Sequence, residues 1–216
     1  MTFNPTVATC LRPHIHLAWC DADLVVLDTL ADQYALLMDA AAVIQPGPNP
    51  GTVLVPADVR SELEALGLIA PDASPSTRRE WATARTELDH SPSVNPASVI
   101  GAAFNSLVST ASFRRKTMAE LVTTASQRRK LNRHRLDAAV AASAFRTVHP
   151  WIPFEGDCLQ RGFMLHHHLH SAGIDARWVF GVRTWPFLAH CWVQVGDCVV
   201  GDTLERTQAF TPIMAV

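Results

Sequence analysis

The stretch GDCLQRGFMLHHHLHSAGIDARWVFGVR, residues 156–183, decides the fold of the C-terminal half of the chain. A helix is predicted to begin at Cys158 and to end at the glycine of the phrase HSAG, since helix C-termini favour glycine. Strands are predicted next, at 175–183, 190–195 and 198–202, where valine and aromatic residues are frequent. A helix followed by antiparallel strands predicts an α+β fold.

The thiol of Cys158 is expected in the first turn of this helix, with Asp157 as the N-cap. A free thiol has a pKa of about 8.5, so little of it is thiolate at neutral pH. The partial positive charge at a helix N-terminus lowers that pKa. This position makes Cys158 a candidate nucleophile, and its activation also needs a base.

A base and an orienting carboxylate are available on the strands that follow. His190 begins the strand HCWVQV, and Asp202 ends the strand CVVGD after a turn at Gly196-Asp197. On adjacent antiparallel strands the two side chains could touch. The imidazole would then act as general base toward Cys158, and the carboxylate would hold the imidazole in one tautomer.

The register of this hairpin makes the hypothesis testable. A two-residue turn at Gly196-Asp197 would pair position 190 with position 203 and turn Asp202 to the opposite face from His190. A longer loop or a bulge is therefore predicted, so that His190 lies opposite Asp202. A regular two-residue hairpin would count against the triad.

The composition is that of an ordinary globular chain. Of 216 residues, 48% are hydrophobic, and 18 basic against 20 acidic residues give a formal net charge of -2. Such a balance creates no general attraction to nucleic acid or to an anionic membrane. No apolar run approaches the roughly 18 residues of a transmembrane helix, and the N-terminus lacks the order of a secretory signal. A soluble, cytoplasmic protein is expected.

Five cysteines without a CxxC pair favour neither a disulfide framework nor a tetrathiolate zinc site. The spacing of His166 and His170 is found in zinc-binding helices, but no third ligand is evident, and a solvent-exposed helix face is the preferred interpretation. No metal and no cofactor are therefore predicted. The remaining cysteines are assigned to packing; they are Cys10, Cys20, Cys191 and Cys198.

Residues 156–183, the phrase AHCWVQVGDCVVGD at 189–202 and the closing Phe210-Thr211-Pro212 together resemble the B proteins of lasso peptide biosynthesis. The resemblance is to the fused form, which joins a leader-recognition module to a transglutaminase-like, papain-like cysteine peptidase. It implies that Cys158, His190 and Asp202 are the catalytic cysteine, histidine and aspartate. Trp151 is a candidate for substrate contact.

The sequence departs from this family at two places. Cys191 stands where the family usually has alanine, and because neighbouring strand residues point to opposite faces, it is expected to point away from His190 and to take no part in the chemistry. Histidines also occupy helix positions where relatives tend to carry arginine; they are His166, His167, His168 and His170.

The resemblance also implies a domain plan of three parts: a leader-recognition module at 1–72, a linker at 73–97 and the peptidase domain at 98–216. The module would be winged-helix-like, with three strands and three helices, and would bind the leader as an added strand between its third strand, 33–38, and its last helix, 57–66. The residues expected to contact the leader are Tyr34, Leu36, Val59 and Leu63. Val55, Val59 and Leu63 could equally form the core of the module.

The function implied is the removal of the leader from a ribosomally made precursor peptide, which frees the amine of the core for macrolactam formation. A second partner is implied as well, an ATP-dependent, asparagine-synthetase-like cyclase, since this chain has no GxxxxGK[ST] phosphate loop. Two alternatives stay open at this point: an acyl transferase of the transglutaminase type, and a protein that escorts a peptide without catalysis.

Overall fold

The computed structural model describes residues 6–70, 81–88, 93–127, 135–152 and 158–216. The chain divides into two compact units. The first contains residues up to 80 together with 182–187, and the second contains 81–181 and 188–216. In the described ranges, no helix is both long and apolar enough to cross a membrane.

The first unit is built on two small antiparallel sheets. In one, β2, β3 and β4 form a meander in that order. In the other, β6 lies between β1 and β5. The strands are β1 (Thr6–Cys10), β2 (Ile15–Cys20), β3 (Asp23–Asp28), β4 (Gln33–Leu37), β5 (Gln45–Pro46) and β6 (Thr52–Pro56).

A single α-helix in the described part of this unit, α1 (Ala57–Ala65), follows β6 directly. The extended backbone of Pro56 stands at its N-terminus, and Leu63 is its buried side chain. Both sheets and α1 share one apolar core, which includes Val26, Val53 and Val55. The unit therefore differs from the three-stranded, three-helix module that was expected, because β1 finds its partner β6 far along the chain, where local pattern gives no signal.

The segment predicted as a linker contributes to the second unit. Thr86–Glu87 forms a short strand, β7, that pairs in parallel with the strand beginning at Cys198. Leu88 extends this contact, since its N–H donates to the carbonyl of Val199. Residues 81–88 thus belong to the second unit and include a strand of its sheet, although only a linker was predicted there.

In the described part of the second unit, four α-helices precede its main strands. Helix α2 begins after Asn95, whose side chain caps Ser98 N–H, and α3 begins with a capping box between Thr117 and Glu120. Helix α5 has a buried, largely apolar interior that includes Phe163 and Leu169. The helices are α2 (Pro96–Phe113), α3 (Met118–Ala125), α4 (Arg135–Val148) and α5 (Cys158–Ser171).

A five-stranded sheet completes this unit, in the order β11, β8, β9, β10, β7. Its central strand β9 is buried along most of its length, and α5 packs against it. The new elements are β8 (Arg177–Arg183), β9 (Leu188–Val195), β10 (Cys198–Val200), α6 (Leu204–Gln208) and β11 (Thr211–Ala215). The predicted helix-then-strand order is confirmed, and the chain is α+β.

Helix α5 approaches the sheet closely at Gly162. A Cβ atom there would lie 2.5 Å from Trp178 Nε1 and 3.4 Å from Cys191 Sγ. The first distance is shorter than real contacts allow, and the Trp178 ring is fully buried and cannot move aside. The absence of a side chain at residue 162 is what lets the start of α5 rest on β9.

We expect Gly162→Ala to lower the free energy of unfolding by about 1–3 kcal/mol, the usual cost of overpacking. Gly101→Ala is the matched control, because Gly101 is also helical but has open space around it. That control should raise stability by about 0.5–1 kcal/mol through helix propensity. Urea denaturation of both variants measures the difference, and equal effects in the two would contradict the close approach.

Candidate active site

Cys158 is the first residue of α5, and its side chain is half-buried. The helix therefore begins at the residue that the sequence predicted. Asp157, the expected N-cap, lies outside the described residues. The thiol has the position at a helix N-terminus that favours the charged form of sulfur.

His190 and Asp202 are in direct contact. His190 Nε2 lies 2.6 Å from Asp202 Oδ2, and both side chains are almost completely buried. The other oxygen, Oδ1, accepts a hydrogen bond of 2.9 Å from the N–H of Thr203. Since Nε2 is engaged by the carboxylate, Nδ1 is the nitrogen left for the hydrogen bond between His190 and the Cys158 thiol. The three predicted residues therefore meet in the second unit.

The route by which Asp202 reaches His190 differs from the prediction. The β9–β10 hairpin has the two-residue turn at Gly196-Asp197, with Val195 opposite Cys198 and Val193 opposite Val200. The longer loop or bulge expected from the sequence is absent from this hairpin, so that prediction is wrong.

The two-residue turn does not prevent the contact, because β10 ends before Asp202. Gly201 follows the strand with a φ of +73°, in the left-handed region that favours glycine. The chain bends there and leaves the ladder, and Thr203 caps the short helix α6 immediately afterwards. Side chains alternate between the two faces of a sheet only within a strand. Because Asp202 lies beyond the end of β10, this alternation does not fix the direction of its side chain.

The pKa of the Cys158 thiol is lowered to about 4. The largest cause is a hydrogen bond from the side chain of Cys191, followed by one from His190. Burial acts in the opposite direction and is outweighed. At neutral pH the sulfur is therefore a thiolate, the form that acts as a nucleophile.

The pKa of His190 is raised, first by its hydrogen bond with Asp202 and then by that with Cys158. For Asp202 the largest influence is burial, which raises the pKa, but the hydrogen bonds from His190 and from the Thr203 N–H outweigh it and the net direction is downward. The favoured state is thus a thiolate beside an imidazolium, with an ionised carboxylate behind the ring.

Cys191 is the residue that the sequence interpretation missed. It was expected to point away from the site, yet its Sγ donates to the carbonyl of Cys158 at 3.1 Å, and its side chain contributes most to lowering the pKa of the Cys158 thiol. Alternation along the strand turns the side chains of Cys191 and His190 in different directions, but it does not determine where the first turn of α5 lies. Because α5 begins beside Cys191, both neighbours reach the same thiol. The cysteine in the phrase His-Cys-Trp was the available signal.

The histidine cluster of α5 is largely buried, so the solvent-exposed face predicted for it is wrong. His166 is 2% exposed, and His168 is 5% exposed. The pKa values of both are lowered, chiefly by burial. His168 contacts Asn105, and His170 Nε2 lies 3.1 Å from the carbonyl of Ala176. Over the ranges that the structure describes, no cluster of three or more ligating side chains is placed to hold a metal.

A cavity of about 370 Å³ adjoins Asp202 within the second unit. Arg161, one turn after Cys158 on α5, lines it and places Nη2 at 3.9 Å from Asp202 Oδ2. Phe145 and Leu165 supply apolar wall, and Arg146 contributes a second guanidinium. Trp151, predicted to contact substrate, is 85% exposed and is not part of this wall.

The four residues predicted to contact a leader lie in the first unit with different exposures. Tyr34 is half-buried and packs on Phe187 of the same unit with ring centroids 5.5 Å apart, while Leu36 is exposed. Val59 packs against the core, and Leu63 is buried within it, as is Val55. Leu63 is thus a core residue, as the alternative interpretation held.

Comparisons with known proteins place this site in a wider family. The model of a family described as the transglutaminase-like superfamily matches residues 100–215. The microcin J25-processing protein McjB of Escherichia coli is 49% identical over 49 residues, which cover 23% of this chain and 24% of that protein. The chain thus matches only about a quarter of the relative's length. No solved structure matches the chain.

The family match spans α2 to β11 with almost no remainder, so it contains Cys158, His190 and Asp202 together with the helix and strands that carry them. It extends over more than half of the 216 residues. The chain is a member of the transglutaminase-like superfamily.

Proposed function

We propose that this protein is a cysteine peptidase that removes the leader from the precursor of a lasso peptide in the cytoplasm. The observation that carries the proposal is the hydrogen-bonded series Cys158, His190 and Asp202 with a Cys158 pKa of about 4. A thiolate held beside an imidazolium is the resting state that cysteine peptidases use to attack a peptide carbonyl. The local likeness to a microcin-processing protein supports the choice of substrate.

The chemistry proceeds through a thioester. The Cys158 sulfur bonds to the carbonyl carbon of the last leader residue, and the His190 imidazolium gives its proton to the departing amine of the core. His190 then removes a proton from water, which attacks the thioester and frees the leader carboxylate. The N–H of Cys158 is the proposed donor to the oxyanion, because the first amides of a helix have no partner within it.

Asp202 serves this cycle as a positioning residue for His190. Its carboxylate fixes Nε2, so Nδ1 stays directed at the sulfur through both steps. Its charge also stabilises the imidazolium, which is the form needed when the amine departs. The second carboxylate oxygen is held by the Thr203 N–H, which keeps the group from rotating.

The first unit offers a surface for the leader at β4. In its sheet, β4 has β3 on one side and is an edge strand among the described residues. An extended peptide can add to an edge strand through main-chain hydrogen bonds, while exposed side chains such as Leu36 provide selectivity. Tyr34 and Leu36 on β4, and Val59 of α1, remain the proposed leader contacts.

Mass spectrometry of a cognate precursor incubated with the full chain tests this function. Hydrolysis yields a leader with a free carboxylate and a core with a free amine, whose masses sum to the precursor plus one water. A leader joined to an added amine such as hydroxylamine, at the expense of hydrolysis, would instead identify an acyl transferase. An intact precursor under both conditions would overturn the proposal.

The freed core amine requires activation of a carboxylate elsewhere in the peptide before a macrolactam can form. We place that step in a separate ATP-dependent cyclase, since this site offers a nucleophile and a base and uses them for hydrolysis. The partners proposed are therefore the precursor peptide and an asparagine-synthetase-like cyclase, with no role for nucleic acid or membrane.

A further inference from the structure

Two thiols meet at the site, although the proposed peptide hydrolysis consumes only one. Cys191 lies on β9 and is 3% exposed, and its Sγ is 3.1 Å from the carbonyl oxygen of Cys158. The side chain of Cys191 is also the largest cause of the lowered pKa of the Cys158 thiol. Cys191 is thus placed against the nucleophile itself and is not an isolated packing residue.

The backbone holds this pair together. Helix α5 rests on β9 at Gly162, where a Cβ atom would lie only 3.4 Å from Cys191 Sγ. The first turn of the helix therefore lies directly against the strand, and one cysteine comes from each element. A disulfide needs its Cα atoms within about 7 Å of each other and its sulfurs about 2.05 Å apart. Because Cys191 Sγ lies only 3.1 Å from the carbonyl oxygen of Cys158, we expect side-chain rotation to bring the two sulfurs together.

We propose that Cys158 and Cys191 are an oxidative modification site, at which a hydroperoxide converts the two thiols into an intramolecular disulfide that reversibly inactivates the nucleophile. This regulation rests on the proposed function of Cys158. The reactive member is exposed enough to meet a small peroxide, and the buried member is positioned to resolve the product.

The reaction balances in two steps. The Cys158 thiolate sulfur bonds to one oxygen of hydrogen peroxide, the O–O bond breaks, and hydroxide leaves to take up the proton held on His190. Cys158 is now a sulfenic acid. The Cys191 sulfur then bonds to the Cys158 sulfur, the S–O bond breaks, and the departing hydroxide takes the Cys191 proton. The sulfur pair loses two electrons, and one hydrogen peroxide becomes two waters.

The second thiol also decides what happens to the nucleophile under excess oxidant. A sulfenic acid without a neighbouring thiol proceeds to sulfinic acid, which dithiothreitol does not reduce. A sulfenic acid captured as a disulfide returns to two thiols with dithiothreitol. Alanine at position 191 would therefore leave Cys158 open to irreversible oxidation, whereas cysteine protects it.

The test uses the full chain and no precursor peptide. After hydrogen peroxide and then blocking of free thiols with iodoacetamide, peptide mapping by mass spectrometry should find Cys158 joined to Cys191, with the mass lower by two hydrogen atoms. Dithiothreitol should restore alkylation of Cys158 completely. In Cys191→Ala the same treatment should add two oxygen atoms to Cys158, and dithiothreitol should restore none of its alkylation.

Cys198→Ala is the matched control, because Cys198 is also a buried cysteine of the same sheet, with its Sγ directed at the Val199 carbonyl. It should form the Cys158–Cys191 disulfide as the wild type does. Thermal melting shows whether each variant is folded. If a variant does not fold, the peptide map of the oxidised wild type is sufficient to test the proposal.

Sulfinic acid at Cys158 of the wild type with Cys191 still alkylated would overturn the proposal. So would a disulfide from Cys158 to Cys10 or Cys20. Neither readout depends on peptide cleavage, so a disulfide in a protein that leaves the precursor intact would refute the peptidase function alone.

Discussion

Cys158→Ala should lower the rate of leader removal by roughly 10⁶-fold, since removal of a triad nucleophile has an effect of that size. Cys191, the other thiol that the described residues bring to Cys158, should not replace its sulfur, because it is buried and hydrogen bonded to residue 158. The precursor should still bind, because β4 and α1 belong to the first unit. Single-turnover cleavage followed by mass spectrometry measures the rate, and fluorescence anisotropy of a labelled leader measures the affinity.

The matched variant for this test is Cys198→Ala, which removes a buried thiol of the neighbouring strand without touching the triad. It should cleave at the wild-type rate. If Cys158→Ala still supported full maturation in the complete pathway, the protein would be a peptide escort and not an enzyme.

Asp202→Asn should lower the rate of cleavage about 10⁴-fold, the effect seen when the orienting carboxylate of a triad becomes an amide. An amide of the same shape keeps the packing but can donate to Nε2, which favours the tautomer with the proton on Nδ1. His190 would then present a proton to the sulfur where the reaction needs a base. The substitution also removes the negative charge of the carboxylate, which helps to raise the pKa of His190.

The pH profile separates this role from a structural one. In the wild type the thiolate–imidazolium pair exists from a pH of about 4, where Cys158 loses its proton, up to the raised pKa of His190. The cleavage activity should therefore decrease at pH values below about 4 and at pH values above the pKa of His190. Asp202→Asn lowers the pKa of His190, so the alkaline limit should move to lower pH.

Cleavage rates across the pH range measure this shift, and Asp197→Asn in the turn of the same hairpin is the control. That variant should retain both the rate and the profile of the wild type. A loss of activity in Asp202→Asn with both pH limits unchanged would mean that the carboxylate only supports the fold.

Local pattern was sufficient for the elements that carry the site. The start of α5 at Cys158 follows from the signals of helix termini, and the strands β8 to β10 follow from runs of valine and aromatic residues. These signals depend on a few neighbouring residues, so the sequence is sufficient to recognise them. The short strand β7 gave no such signal, because Thr86–Glu87 is extended only through its pairing with β10.

The reliance on local pattern also explains why the histidines of α5 were wrongly predicted to face solvent. Four histidines within five positions of one helix are polar by composition, which predicts a face in water. Burial of His166 and His168 depends on what covers the helix, and α2 and α4 pack against α5. Residues far along the chain therefore decided the environment of this face.

The sequence by itself determined which residues could do the chemistry: a cysteine at a helix start, a histidine and an aspartate at the ends of two strands, in the order of a known family. Tertiary structure alone decided how they meet. Asp202 reaches His190 because Gly201 takes a left-handed conformation and ends β10, and Cys191 joins the site because α5 begins against β9. Spacing limits which side chains can approach each other, but only the packing of helix on sheet sets the distances between them.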